Sequence, residues 1–268
     1  MLTPTAGATM PSSPTVRTVL VAVAVLALPL GHAAAQRPER KFPPDSLTNL
    51  KVFPKNTPVR ALIDSMRQFT FALGVRCEYC HVGEAGRPLE TFDFGSDDKR
   101  TKRTARVMLD MIRHINAEHL RDVPERSNPP LRVTCETCHR GRARPERLQD
   151  VLARQLADSG LDATVRLYGS LRQRYDGGQA FDFRDVTLNR FASDLTRAGQ
   201  PDNALAMARL NCEQFPASGQ SLVVMSEAYL AKGDTVSAVA SLRAAAVKDT
   251  TMSAQVRRRL QALGAGGS

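Results

Sequence analysis

Tryptophan is absent from this 268-residue chain and aromatic residues make up only 5% of it. That leaves little from which to build a platform for stacked single-stranded nucleic acid, and no nucleic-acid partner is expected. Cysteine is scarce. Five residues are too few for a disulfide-dense secreted scaffold of this length, so their spacing must carry their meaning. Acidic residues are outnumbered, 27 against 37 basic, leaving a formal charge of +10. Such a balance by itself permits a nucleic-acid or membrane-surface partner and equally an ordinary solvated surface. With 42% hydrophobic and 24% charged residues, and only 17 Gly and 16 Pro, the chain is neither collagen-like nor low-complexity and can bury a core. Its length suggests two modest domains.

Long apolar runs are missing except near the N-terminus. There Arg17 precedes an uncharged stretch from Val19 to Leu30, followed by Ala33-Ala34-Ala35 and then Arg37-Pro38-Glu39-Arg40. The stretch is shorter than the roughly 20 residues of a membrane-spanning helix. It reads as a secretory signal peptide, residues 1–35, cleaved near Ala35, which implies a periplasmic location. An uncleaved N-terminal anchor is the alternative, because the segment before Arg17 is long and Met10 offers a second start. No cysteine follows the small residues, so no lipid-attachment signal is present.

Four of the five cysteines fall in two identical spacings, Cys77-Glu78-Tyr79-Cys80-His81 and Cys135-Glu136-Thr137-Cys138-His139. In C-x-x-C-H two thiols can reach the two vinyl groups on one porphyrin edge while the adjacent imidazole turns under the ring to hold iron. A four-cysteine zinc site and a pair of redox dithiols are the competing readings. Zinc leaves both histidines unexplained, and a thioredoxin-like dithiol needs a βαβ setting not evident here. Two covalently bound haem c groups are therefore expected, attached after export.

Upstream of the first motif, Thr57-Pro58 predicts a helix start and Gly74 a stop. Between them Val59, Leu62, Met66, Phe69 and Leu73 form one apolar stripe. Eleven residues, roughly 16 Å of helix, separate Met66 from Cys77. The helix can fold back across the Gly74 turn and offer the Met66 sulfur to iron; a plain core methionine is the other reading. Before the second motif, Ser96-Asp97-Asp98 predicts the cap of a helix running to about Leu120, with Ala105, Met108, Ile112, Ile115 and His119 on one side. Met108 and Met111 are both candidate ligands there. His114 and His119 read more simply as helix-surface histidines.

Residues from about Leu50 to Pro145 resemble one half of the tetrahaem cytochrome subunit of photosynthetic reaction centres, in which each half repeats helix, C-x-x-C-H, helix, C-x-x-C-H. The resemblance rests on Met66 with Cys77 to His81, on Ser96-Asp97-Asp98-Lys99 leading to Ala105 through Met111 and to Ile115-Asn116, and on Val133-Thr134-Cys135 through His139-Arg140-Gly141. It implies Met66 as the sixth ligand of the first haem and Met108 as that of the second, with Met111 and His119 behind them. Only two motifs stand here where the subunit has four, a lipidated N-terminal cysteine is missing, and the segment beyond Pro145 has no counterpart.

That last segment repeats itself. Leu188, Phe191, Leu195, Gly199, Ala204 and Cys212 are matched 34 residues later by Leu222, Met225, Tyr229, Gly233, Ala238 and Ala246, the tetratricopeptide period. Helix-turn-helix units are expected over 186–215 and 220–248, a divergent pair over 147–158 and 162–175, and a closing helix from Ser253 to Leu263. Cys212 sits where small residues let helices cross and reads as a buried free thiol. The expected fold is all-α: a signal peptide (1–35), a compact dihaem cytochrome c module (36–145), and a tetratricopeptide-like helical repeat domain (146–268). The expected function is electron transfer, without enzymatic activity, between redox protein donors and acceptors, one of them membrane-bound in some settings, with the repeats docking a protein partner. A dihaem peroxidase-like oxidoreductase with one open iron site is the alternative.

Overall fold

The structure is a computed structural model that describes residues 41–125 and 127–266; the N-terminal apolar segment lies outside the described residues. Among the described residues ten α-helices follow one another, joined by short 3-10 and π turns, and the only β pairing is the isolated bridge between Val82 and Asp93. The fold is all-α.

In the first half, α1 (Val59–Leu73) precedes the single-turn helix α2 (Cys77–Cys80), and α3 (Arg100–His114) precedes the equally short α4 (Cys135–His139). Gly74 ends α1 in the left-handed region, as expected, at φ 63°. The predicted start signals act differently. Thr57 does not cap α1, since its hydroxyl donates to the Pro54 carbonyl at 2.6 Å, and Pro58 stands at the cap position. Lys99, not Ser96, Asp97 or Asp98, occupies the cap position of α3. Beyond His114 the chain continues as a π turn over Ile115–His119, which carries the helical path to the expected region of Leu120.

The second half is mostly helical. α5 (Leu148–Tyr175) contains Gly160 at φ 77° and ψ −177°, a break that divides it into the two expected arms. α6 (Asp185–Arg197), α7 (Pro201–Gln214), α8 (Gly219–Ala231) and α9 (Thr235–Lys248) form two hairpins, and α10 (Ser253–Ala262) closes the series. The step from Asp185 to Gly219 equals that from Pro201 to Thr235, so the hairpins keep the 34-residue period. Gly199 and Gly233 make the corresponding turns at φ 72° and 79°. Ala192, Ala204, Ala208, Ala228, Ala238 and Ala245 are fully buried, so the helices can approach closely where they cross. Cys212 is a half-buried free thiol, and burial pushes its pKa up.

Burial is unevenly shared. One apolar cluster around Leu148, Leu152, Phe181, Phe191 and Met207, and a second around Val223, Leu242 and Val256, both belong to the second half. Before Leu148, the buried hydrophobic residues among those described are Ala72 and Phe92 alone.

One backbone approach fixes the first half. The Gly141 N–H, just past the second motif, donates to the Ala72 carbonyl at 2.8 Å, and a Cβ at Gly74 would run into the Gly141 carbonyl. Gly74→Ala combines that collision with a left-handed backbone, which alone costs an L-residue about 1–2 kcal/mol. Gly86, at φ 77° with open space around it, carries only the backbone term. Thermal melts of the two alanine variants should show Gly74→Ala losing clearly more stability than Gly86→Ala; equal losses would remove the close approach.

Candidate haem site

The two C-x-x-C-H turns are short helices, which places both thiols and the following histidine of each on adjacent backbone. The carbonyls of the first turn are taken up by α3: Lys99 donates to the Glu78 carbonyl and Thr101 to that of Tyr79. The second turn is held through Asn116, whose side chain accepts from the Val133 N–H and donates to the Val133 carbonyl, both at 2.8 Å. A third bond from Asn116 to the Ile112 carbonyl, 2.9 Å, anchors this clamp to the end of α3. The Thr134 N–H then donates to Thr137 Oγ1 at 3.0 Å, starting α4.

A cavity of about 1090 Å³ opens between these elements. All four motif cysteines and both motif histidines line it, together with Met66, Met108 and Met111. From α1 it takes Leu62, Phe69 and Leu73 of the predicted stripe, and from α3 Ala105, Ile112 and Leu109. Met66 and Met108 are half-buried, whereas Met111 is 43% exposed. His114 and His119 are exposed and do not border the cavity, and His114 pairs with Glu118 at 3.1 Å. Cys77, Cys80 and Cys135 are half-buried and Cys138 is exposed; burial raises the pKa of Cys80 and Cys135. Among the described residues no three of His, Cys, Asp and Glu gather into a metal-holding group, so the four thiols do not form one cage of the kind zinc takes.

The two histidines sit differently. The bridge at Val82 and Asp93 returns the chain so that the Phe94 ring meets His81 edge-on at 4.9 Å, with Phe92 stacked behind it at 5.6 Å. Burial, and next the charge of Lys102, lower the His81 pKa to about 4, so the ring is neutral at ordinary pH, the form that ligates metal. His81 Nδ1 is buried without a hydrogen-bond partner. His139 Nδ1 lies 2.8 Å from the Arg142 carbonyl. A carbonyl can only accept, so Nδ1 carries the proton and the Nε2 lone pair is left free.

Cationic side chains gather beside His81. Lys102 donates to the carbonyls of Phe94, Gly95 and Ser96 at 2.8, 3.1 and 2.7 Å, which shapes the loop before α3. Asp97 is the hub, with Arg106 and Lys51 each at 2.8 Å, Lys102 at 3.3 Å and the Asn49 amide at 2.8 Å. The sequence read Asp97 as part of a cap. Nothing local marks it as a hub, because Asn49 and Lys51 arrive from nearly fifty residues upstream.

These residues fit haem. The cavity exceeds the roughly 300–1,000 Å³ of drug-sized ligand pockets. Its walls are mostly apolar, with basic side chains such as Lys102 and Arg106 among them, and its donors are two thiol pairs, two imidazoles and thioethers, the set that haem c takes. The family model described as photosynthetic reaction centre cytochrome C subunit matches residues 16–161, which contain both motifs and every residue of the cavity. No curated protein and no solved structure matches the chain.

The Asp97 hub generates a pH prediction. Hydrogen bonds from Arg106, then Lys51 and Asn49, hold its carboxyl well below the ordinary 3.8. A depressed folded pKa means that its contribution is complete above 3.8 and lost as pH falls beneath that value. The melting-temperature gap between the parent and Asp97→Asn should be constant from pH 5 to 7 and shrink steadily below about pH 4. A gap that does not change with acid would mean that Asp97 is not the tie.

Proposed function

The chain belongs to the photosynthetic reaction centre cytochrome c subunit family, and on that premise we propose that residues 36–145 make it an exported, periplasmic dihaem electron carrier and that residues 146–268 dock it to a redox partner. The family makes it a haem cytochrome of electron transfer, with covalently bound haem c and redox proteins as partners. The observation that carries the dihaem reading is that both C-x-x-C-H turns and Met66 and Met108 border one cavity.

In this reading Cys77 and Cys80 tether the first haem, and Cys135 and Cys138 the second. His81 and His139 would ligate the two irons, with Met66 and Met108 as their thioether ligands. Bound there, haem supplies an iron that moves between the ferrous and ferric states. The chain's residues set how readily it does so. Thioether ligands favour the ferrous state, and the stripes of α1 and α3 keep water from the porphyrin faces. Lys102 and Arg106 place positive charge beside His81, which disfavours further positive charge there. Methionine at both irons would leave no open coordination position, which favours a carrier over a peroxidase-like enzyme. For the second half, the regular 34-residue hairpins support a tetratricopeptide-like surface for protein contact.

Expression with a haem-attachment system should give a red protein with two haems per chain that survive acid-acetone extraction. Met66→Ala and Met108→Ala should each lower one midpoint potential, open one carbon monoxide site, and together abolish the near-infrared sulfur-to-iron band. Carbon monoxide binding by the reduced parent would favour the peroxidase-like alternative. If the band persists at full strength in the double variant, neither methionine is the ligand assigned here.

A further inference from the structure

The hydrogen bond on His139 leads into the helical half. Its acceptor is the carbonyl of Arg142, and the Arg142 N–H returns to the His139 carbonyl at 2.9 Å, so the two residues are locked face to face. The Arg142 side chain points the other way. Its guanidinium lies over the Phe181 ring, 3.8 Å from the centroid, and its Nη1 donates to the Glu146 carbonyl at 2.8 Å. Phe181 is 6% exposed within the larger core cluster, with Tyr175 and Phe183 edge-on at 5.6 and 5.9 Å. Glu146 is gripped in turn by both amino groups of Arg154 on α5, each at 3.1 Å. A largely buried guanidinium stacked on a ring and bonded to a carbonyl is fixed in both position and plane.

We propose that Arg142 is a positioning residue that lets the helical half set the electronic state of the second iron ligand: docked on Phe181 and Glu146, it holds its own carbonyl against His139 Nδ1. This rests on the reading of His139 as the ligand of the second haem. A proton shared with a fixed carbonyl makes the imidazole a stronger donor, and a stronger donor stabilises ferric iron and lowers the potential. His81, whose Nδ1 has no partner, provides the internal comparison.

The sign of the shift separates this from electrostatics. Deleting the Arg142 charge would favour the ferric state and lower the potential, whereas loosening the hydrogen bond raises it. The test therefore uses two charge-conserving variants of the full, haem-loaded chain. Arg142→Lys keeps the cation but loses the planar stack, and Phe181→Leu keeps apolar volume but removes the ring face. Spectroelectrochemical titration should show the second haem, identified by its response to Met108→Ala, shifting upward in both variants while the first stays fixed. Resonance Raman should show a weakened iron–histidine stretch for that haem in its five-coordinate ferrous form, obtained in the Met108→Ala background. Arg142→Lys alone decides the matter should Phe181→Leu fail to fold. Two unmoved potentials, a downward shift, or equal movement of both haems overturns the proposal. A parent chain with fewer than two haems, or with no potential that answers to Met108→Ala, overturns instead the ligand reading on which it rests.

Discussion

Leu62, Met66, Phe69 and Leu73 on α1, with Ala105, Met108 and Ile112 on α3, have to be covered by something, and in this chain they border a cavity of about 1090 Å³. A fully buried aliphatic or aromatic side chain is worth roughly 1.5–3 kcal/mol, and half-exposed ones forfeit part of that. Ala72 and Phe92 are the only buried hydrophobic residues among those described before Leu148, so most of the apolar surface of the first half lies on the stripes that border the cavity. On the reading proposed above, haem bound there would cover those stripes and stabilise the fold that holds it.

A half without much core has to fix its geometry by polar ties. Asn116 spends its whole amide on Val133 and Ile112, and Lys102 collects three carbonyls in front of His81. Asp97 binds α3 to the irregular segment at Asn49 and Lys51. Such bonds are directional where apolar burial is not, so they can hold an imidazole and two thiols at a set spacing while the space between remains unfilled by protein. The close approach of Gly74 and Gly141 does the same by shape alone, and joins the end of the Met66 helix to the second motif.

What the sequence revealed was what local rules govern. The C-x-x-C-H turns, the apolar stripe through Met66, the Gly74 stop and the 34-residue period each depend on residues within a turn or a helix, and each stands where it was expected. The start signals were misjudged because Thr57 and Asp97 found stronger partners elsewhere, in the Pro54 carbonyl and in three cations. Asn116 belonged to the matched stretch without a role, since its partner Val133 is 17 residues away across a loop. Asn211, buried and donating to Asp185, Asn189 and Ser221, gave no signal either, because a lone polar residue on a helix reads as surface. Arg142 gives no local signal, because its partner Phe181 comes only after the whole of α5.

The two halves differ in what holds them, and that difference gives their junction a direction. The helical half has two apolar clusters of its own, with Leu152, Met207, Val223 and Leu242 fully buried, so it presents a firm wall. The first half has only Ala72 and Phe92 buried among its described hydrophobic residues and is tied by polar bonds instead. Dense interiors do not deform gradually, so side chains seated on the helical wall are held in place. At the junction that wall holds Phe181 and Arg154, and the turn from His139 to Arg142 is seated on them. Glu146 sits between them, its carboxylate 15% exposed and shared by Arg144 and Arg154, with Arg142 at 3.8 Å. Three guanidiniums around one carboxylate leave a net positive charge, which burial at Arg142 makes harder to carry and which the Phe181 ring face partly offsets. The turn that carries His139 is thus joined to the helical wall through the Phe181 ring and the Glu146 carbonyl.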